Sequence, residues 1–405
     1  MQIDIHCGEL EAETNIWTFC SIGLSGSVPQ GTPFSDGSCP GEIAGLSPTS
    51  TPTLMPTNTP PPTSTPAGST LTPSPTPSST WGGIFITSGE VKILPASGSA
   101  WNAVVAAANT AVSSPNLNIR NSDNTNTYAK SLVYVRTGDK KYADEVRQIL
   151  GKIMGTESGS DVLAVLRNTY AYVIAADLIN LKNFDPAFDS TFRSWLLSMR
   201  TASSSGPCSS IIDCHEKRPN NFGAHALSSR VAIARYIGDT TDLAKAIDIH
   251  KAWLGLPGFN HNFNWGSDLS WQCDSSNPVG INPKGCTKSG HDIDGVLPDD
   301  QRRSGSFTWP PFCENYVWGA LNGFSVGTEM LRRAGHPAWE WADQAINRSL
   351  VWLHSASVKS TNWCAATGDD AWVPILVNYT YGTNFPGSVT SVGKGLGFTG
   401  WTHAK

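Results

Sequence analysis

The chain has 405 residues and a formal net charge of −5, with 15% charged and 39% hydrophobic residues. This mildly acidic balance argues against a nucleic acid or an anionic membrane surface as the partner. No run of the sequence approaches the ~18 apolar residues of a membrane span. We therefore predict neither a nucleic-acid nor a membrane partner, and we expect a monomer.

The first 80 residues differ in composition from the rest of the chain. Residues 47–80 are almost wholly Pro, Ser and Thr, which cannot bury a core and predict a disordered, extended linker. Residues 1–46 contain Cys7, Cys20 and Cys39 among short β-prone runs, which indicates a fragment of a small upstream β-rich module. No signal-peptide pattern is visible. We expect a secreted protein whose chain begins inside a longer one; the alternative is an intracellular protein with an unusual tail.

The nine cysteines contain no CxxC pair, so a structural zinc site is not expected. Two pairs bracket short polar loops, Cys208 with Cys214 and Cys273 with Cys286, and this indicates local disulfides. Spacing alone does not fix the pairing. The odd total leaves at least one thiol unpaired or paired outside this chain.

Residues 82–405 read as one large helical unit. Apolar residues recur at helical spacing in blocks at 101–113, 127–136, 141–154, 161–180, 187–200, 223–237, 241–254, 316–334 and 338–355. Strand-like alternation appears only at 372–381. Short turns such as Thr137-Gly138-Asp139 and Gly238-Asp239-Thr240 separate the blocks and predict successive helical hairpins. We therefore predict an all-α fold, an (α/α) toroid forming an incomplete barrel of helical hairpins.

The stretch Arg218-Pro219-Asn220-Asn221-Phe222-Gly223-Ala224-His225 has the pattern of a helix start. Asn221 and His225 are four residues apart, so both project from one face if the helix begins by Asn221. Amide donors and an imidazole grouped in this way can grip a sugar carboxylate. The alternative is that either Asn is only a cap and that His225 is a core histidine.

The segment 257–315 is longer than a simple connection and carries many polar side chains, which is typical of a functional loop. Trp265 and Trp309 lie in it and are candidate sugar-stacking platforms, although a core role is the more common one for a tryptophan. The run His291-Asp292-Ile293-Asp294 has ligand types that calcium or zinc accepts, but such runs are most often solvated turns. We predict no metal and no cofactor.

Three stretches together resemble one enzyme family: RPNNFGAH (218–225), DGVLPDDQRRSGSFTWPPFCENYVWGAL (294–321) and GKGLGFTGWTH (393–403). They are similar to the alginate-lyase-like polysaccharide lyases, and most closely to polysaccharide lyase family 38, the glucuronan and mannuronan lyases. The older alginate-lyase family has His directly after the second Asn, whereas three residues intervene here. The resemblance covers residues 95–405 and implies an (α/α) toroid that cleaves β-1,4-linked uronic-acid polymers by β-elimination.

The resemblance also implies roles for individual residues. Asn221 and His225, with Arg303 as the nearby cation, would neutralise the uronate carboxylate while the carbon-5 proton leaves. Tyr316 would be the base and then the acid, with Arg303 lowering the pKa of its phenol. If the proton and the leaving group lie on opposite faces of the sugar, as in guluronate, His225 becomes the candidate base. The expected substrate-binding residues are Asn220, Arg218, Arg302, Trp309, Glu314, Trp265 and His403, with Asn220 the substitute for Asn221 if the register differs.

Other readings stay open. Tyr316 can instead be a buried tyrosine, and Arg303 can pair with Asp299 or Asp300 while Arg302 takes its role. Asp299, Asp300 and Glu314 are the carboxylates that an (α/α)-barrel glycoside hydrolase needs. A non-catalytic polysaccharide-binding protein can use the same cleft. The preferred uronan, and whether cleavage is internal or from an end, are not predicted.

Overall fold

The computed structural model describes residues 5–12, 15–22, 81–159 and 161–404. The chain divides into two compact units, Met1–Ser74 and Pro75–Lys405. In the first unit, strands β1 (Ile5–Ala12) and β2 (Asn15–Ile22) pair antiparallel and place Cys7 opposite Cys20. The predicted linker at 47–80 and Cys39 lie outside the described residues.

The second unit is mostly helical. Its longer helices are α1 (Ser88–Ile93), α2 (Ser99–Asn109), α3 (Asp123–Thr137), α4 (Lys140–Ile153), α5 (Val162–Leu178), α6 (Leu181–Phe184), α7 (Pro186–Met199), α8 (Ile211–Lys217), α9 (Asn221–Ile237), α10 (Thr240–Trp253), α11 (Pro298–Gln301), α12 (Asn315–Arg333), α13 (Trp341–His354), α14 (Val373–Tyr381) and α15 (Thr399–Thr402). Three 3-10 turns span Arg302–Ser304, Ala338–Glu340 and Gly368–Asp370. Two small hairpins pair β3 (Thr287–Lys288) with β4 (His291–Asp292) and β5 (Val392–Gly393) with β6 (Leu396–Gly397). The prediction of a mostly helical unit is confirmed, and each of the nine predicted blocks contains a helix.

The predicted turns have a clear physical basis. Gly138 ends α3 with φ 78°, a left-handed conformation that glycine adopts without a Cβ penalty. The next residue, Asp139, caps α4 by accepting a hydrogen bond from the backbone of Lys141 at 3.0 Å. Gly238 and Asp239 repeat this arrangement between α9 and α10. Both pairs are therefore helical hairpins, as predicted.

Four central helices, α3, α5, α9 and α12, pack side by side in that order. The side-chain contacts show that α5 and α9 run parallel. Arg167 of α5 contacts His225 of α9. Ten residues further along each helix, Asp177 and Arg235 both bond to the backbone of Ile84. The hairpin partners of these helices pack outside the row. Within the described residues the helices form no closed barrel. The row of helices is observed, and the predicted toroid is not confirmed.

Burial explains why these helices are central. Almost every residue of α5 is buried, with Arg167 and Asp177 the partly exposed exceptions. A helix that is apolar around its whole circumference belongs in a core. α9 and α12 approach closely because Gly323 has no side chain: a Cβ there would lie 2.4 Å from the carbonyl carbon of Ala224. This contact brings the first turns of α9 and α12 together.

Residues 372–381 were expected as strand-like, and that prediction is wrong. The segment forms helix α14, with Pro374 in its first turn, where a missing backbone N–H costs nothing. Val373, Leu376 and Val377 are its fully buried residues and recur at helical spacing. Packing of this apolar face outweighs the β-propensity of the β-branched and aromatic residues.

Three disulfides form in the second unit, and two of them are the predicted local pairs: Cys208–Cys214, Cys273–Cys286 and Cys313–Cys364. The third pair, which spacing did not predict, ties the segment before α12 to the segment before the Gly368–Asp370 turn. Across the described part of the chain, no helix has both the length and the apolar character needed to cross a bilayer.

Candidate active site

The first turn of α9 is held by two buried carboxylates. Asn220 caps the helix through its Oδ1, which accepts from the backbone of Phe222 at 3.2 Å, and its Nδ2 donates to Asp299 at 2.8 Å. The backbone N–H of Asn221 donates to Asp300 at 3.1 Å. Both polar atoms of the Asn220 side chain thus make structural bonds, and its role as a substitute for Asn221 stays a prediction.

Gly223 lets the preceding loop fold over this turn. A Cβ at Gly223 would lie 1.8 Å from the carbonyl oxygen of Arg218. No other residue fits there without moving the backbone. The glycine between Asn221 and His225 is therefore a packing requirement of the loop that carries Arg218.

Asn221 differs from its neighbour. Its side chain is 1% exposed, and neither Oδ1 nor Nδ2 has a hydrogen-bond partner within the described residues. A buried amide left unpaired costs roughly 1–3 kcal/mol, and most such groups in native proteins are paired. Asn221 is the group in this site whose chemistry calls for a polar ligand.

His225 is fully buried beside Arg167 and Tyr170 of α5. Arg167 Nε donates to His225 Nε2 at 3.3 Å, and the Tyr170 hydroxyl lies 3.4 Å from Nδ1. Because a guanidinium only donates, Nε2 is the acceptor and the ring proton is on Nδ1. Burial, then the charges of Arg167 and Lys394, hold the pKa of His225 well below its usual value. The predicted donor to the carboxylate is thus a neutral ring that holds Arg167.

Arg167 itself was missed from the sequence. It is the single basic residue in the apolar run of α5, and that exception in an otherwise buried helix is the signal that marks it. A Cβ added at Gly319 of α12 would lie 3.8 Å from Arg167 Nη2 and 3.9 Å from Asn221 Nδ2. Arg167 and Asn221 therefore border the same space beside Gly319.

Tyr316 lies one helical turn before Gly319, on the same face of α12. Its side chain is 44% exposed, so the alternative of a buried tyrosine is wrong. The guanidinium carbon of Arg303 lies 4.7 Å from the centre of its ring. Glu314 caps α12 by accepting from the backbone of Tyr316 at 3.0 Å, which fixes the start of the helix.

Arg218, Arg302 and Arg303 form a basic cluster near the start of α9. Arg302 is the one that pairs with Asp299, at 2.8 Å, whereas the alternative reading gave that pairing to Arg303. Arg218 has a buried Nε without a partner in the described structure, and its pKa is lowered, mainly by burial. Asp299 also accepts from the backbone of Gly266 at 3.0 Å, next to Trp265.

The two predicted tryptophan platforms are half-buried. Trp265 packs edge-on against Phe263 with ring centres 5.6 Å apart. Trp309 stacks on His291 at 4.3 Å, so one face of its indole is covered. Each ring can offer at most its remaining face to a sugar.

His403 does not belong to this site. It is 2% exposed and its Nε2 lies 3.8 Å from Glu329, more than three helical turns after Tyr316 on α12 and so about 20 Å away along the axis. It is a core histidine packed against Phe85 and Tyr379. The third motif reaches the site through Lys394 instead, since Gly395 packs directly against the Tyr170 hydroxyl.

Lys394 pairs with Asp370 at 2.5 Å and with Asp369 at 3.4 Å. Asp370 is buried and also accepts from Asn322 of α12. Burial raises the pKa of this carboxyl, and the charge of Lys394 opposes that rise. Sequence reasoning missed these residues because they come together from three separate segments.

The run His291–Asp294 comprises strand β4 and the turn that follows it. Asp294 accepts from the backbone of Gly285 at 2.8 Å and pairs with Arg348. Among the residues that the structure describes, no group of three or more His, Cys, Asp or Glu side chains is placed to hold a metal ion.

A scan against protein-family models and a search of the curated proteins each found no match to this chain.

Proposed function

We propose that this protein is a secreted polysaccharide lyase that cleaves β-1,4-linked uronic-acid polymers, glucuronan or mannuronan, by β-elimination. The proposal places the catalytic unit at residues 82–405 and groups it with the alginate-lyase-like enzymes of the family 38 type. The observation that carries it is the buried side-chain amide of Asn221, which has no hydrogen-bond partner within the described residues and borders, with Arg167, the space beside Gly319. Gly319 lies one helical turn after the exposed Tyr316 on α12.

The row of parallel helices supports this assignment. We propose that this row and its hairpin partners belong to the incomplete (α/α) toroid that the resemblance implies. The site residues lie toward the amino-terminal ends of α5, α9 and α12, and the amino-terminal end of a helix favours an anionic group. Three disulfides fit an extracellular location.

The reaction first requires that the uronate carboxylate be neutralised. The carbon-5 proton is acidic enough to leave only when the adjacent carboxylate is neutralised, because the intermediate enolate would otherwise carry a second negative charge. Donors fixed in a buried site stabilise that charge without reorganising. The Asn221 amide and a nearby arginine meet this requirement.

Tyr316 would then perform both proton transfers. Its deprotonated oxygen takes the carbon-5 proton, the electron pair forms the double bond between carbons 4 and 5, and the carbon-4 to oxygen bond breaks. The departing glycosidic oxygen takes the proton back from Tyr316. The Arg303 guanidinium lies over the phenol ring. No water is consumed, and the two products are an unsaturated uronate end and a new reducing end.

The competing hydrolase reading is less well supported. Hydrolysis needs two carboxyl groups that face the scissile bond. Asp299 and Asp300 are 4% and 2% exposed and bond to the first turn of α9, while Glu314 caps α12. These carboxylates have structural partners.

The test is the ultraviolet absorbance of reactions with glucuronan, polymannuronate, polyguluronate and a neutral glucan, with Tyr316→Phe as the matched variant. We expect absorbance from the conjugated product on one uronan, falling by roughly a thousandfold in rate in the variant because general acid–base transfer is lost. New reducing ends without absorbance would favour the hydrolase. Saccharide binding without any product would favour a binding protein.

A further inference from the structure

We infer that Arg167, not Arg303, is the cation that binds the uronate carboxylate, in a recess that Gly319 leaves open between Arg167 and Asn221. This inference rests on the proposed function and names the carboxylate subsite within it. Arg167 contributes a charged donor to this recess and Asn221 a neutral one.

The hydrogen bonds of Arg167 support this assignment. In the described part of the chain, its Nε donates to His225, and its two terminal nitrogens have no hydrogen-bond acceptor. Nη2 lies 3.8 Å from the point where a Gly319 Cβ would be, and Asn221 Nδ2 lies 3.9 Å from the same point. Two donors that converge on one unfilled point fit the two oxygens of a carboxylate.

The neighbouring cations are committed elsewhere. Arg302 is bound by Asp299, and the Arg303 guanidinium lies over the Tyr316 ring. Lys394 is paired with Asp370 and Asp369. Arg218 also has a buried Nε without a partner in the described structure, but Arg167 is the arginine with a terminal nitrogen beside the Gly319 point. A partly buried arginine attracts an anion more strongly than an exposed one.

His225 then has a positioning role. Its neutral Nε2 accepts from Arg167 Nε and so turns the terminal nitrogens toward Gly319. Tyr170 stacks parallel to the His225 ring with centres 6.2 Å apart, which fixes the ring plane. Asn221 thus contacts the ligand directly, whereas His225 acts by orienting Arg167.

The experiment measures binding, without turnover, in the full chain carrying Tyr316→Phe. The probes are tetraglucuronate and tetramannuronate, with cellotetraose as the control, because cellotetraose is tetraglucuronate with every carboxylate replaced by a hydroxymethyl group. Calorimetry is run on this background alone and with Arg167→Gln, Arg303→Gln or Gly319→Ala added. Thermal unfolding of each protein shows that it is folded.

We expect one uronate tetramer to bind more tightly than cellotetraose. Arg167→Gln should weaken that binding by about tenfold or more, the loss of a hydrogen bond to a charged group, and bring it to the level of cellotetraose. Gly319→Ala should do the same, because its methyl group fills the recess. Arg303→Gln should change the affinity by less than about threefold, as expected for an exposed charge.

Three results would overturn the inference: unchanged affinity in Arg167→Gln, loss of affinity in Arg303→Gln instead, or no preference of the background protein for a uronate tetramer. Failure of the proposed function appears separately. A protein with intact Tyr316 that binds uronates through Arg167 and yields no unsaturated product would keep the carboxylate subsite and lose the lyase assignment.

Discussion

Asn220 and Asn221 are adjacent and chemically identical, yet they bond differently. The Asn220 side chain caps α9 and also donates to Asp299. The Asn221 side chain has no hydrogen-bond partner within the described residues. Stability depends on the first side chain, and ligand binding is assigned to the second. The pair therefore separates folding from function at two neighbouring positions.

We predict opposite effects for alanine at these positions. Asn220→Ala should lower the free energy of unfolding by about 1–2 kcal/mol, the usual cost of a lost cap. Asn221→Ala should leave stability unchanged or higher, since it removes an unpaired buried amide, and should lower the elimination rate by about a hundredfold or more. Urea unfolding and the absorbance assay measure the two quantities. Equal destabilisation by both changes would show that Asn221 is a structural residue.

At the scale of elements, the contact between α9 and α12 aligns the site. Gly319, Gly323 and Gly327 recur every four residues on the face of α12 that meets α9. The Cys313–Cys364 disulfide and the bond from Trp318 Nε1 to the carbonyl of Cys364, at 3.0 Å, then hold the start of α12 against the segment leading to Asp370.

Gly323→Ala should destabilise the protein by about 1–3 kcal/mol, the range for overpacking a core. Its Cβ would lie 2.4 Å from the Ala224 carbonyl carbon and 2.6 Å from the His225 nitrogen, and backbone atoms cannot give way cheaply. Gly319→Ala is the matched control, because its nearest contacts are 3.8 Å and alanine is the better helix former. Denaturant unfolding compares the two. Equal stability would mean that the helices are not packed as closely as described.

At the scale of the whole second unit, the two ends of the helix row differ. Residues 81–94 cover the carboxyl-terminal ends of the central helices, where Arg235 donates to the carbonyl of Ile84 at 2.7 Å and Arg333 pairs with Glu90 at 2.8 Å. The site lies at the opposite end. Residues 81–94 thus cover one end of the row, and the other end carries the exposed Tyr316. A polymer would approach the unit from the end with Tyr316.

Stability should fall in mild acid because several buried histidines stay neutral in the folded protein. Burial lowers the pKa of His250 to about 3, and burial also lowers those of His215, His225 and His403. In the unfolded chain a histidine binds a proton below about pH 6.5. The unfolded state thus binds more protons there, and each such histidine costs about 1.4 kcal/mol per pH unit as the pH falls toward its folded pKa.

His250→Phe isolates this effect, because the ring packs against Trp253 and Phe324, each with its ring centre 5.7 Å away, and burial is the single cause of its pKa shift. The variant should flatten the plot of unfolding free energy against pH between about pH 6 and 4 by about 1.4 kcal/mol per unit. Asp177, Asp300 and Asp370, whose pKa values are raised mainly by desolvation, act in the opposite direction in both proteins. Parallel plots for the two proteins would contradict the prediction.

The sequence predicted those parts of the fold and site that depend on local patterns. Helical spacing predicted the helical blocks, and the Pro-Asn-Asn pattern predicted the start of α9 and the shared face of Asn221 and His225. Arg167, Asp370 and the Cys313–Cys364 pair depend on which segments meet in space, which local spacing does not contain. His403 and the 372–381 segment were misread because tertiary burial decides them.

The most direct test of the lyase proposal is the mass of the oligosaccharides released from glucuronan or polymannuronate, measured by mass spectrometry. β-Elimination adds no water to the cleaved bond, so every product with an unsaturated end should be lighter by one water molecule than the saturated oligosaccharide of the same length. We predict such products from the protein and none from Tyr316→Phe. Saturated products alone would contradict the account and indicate hydrolysis.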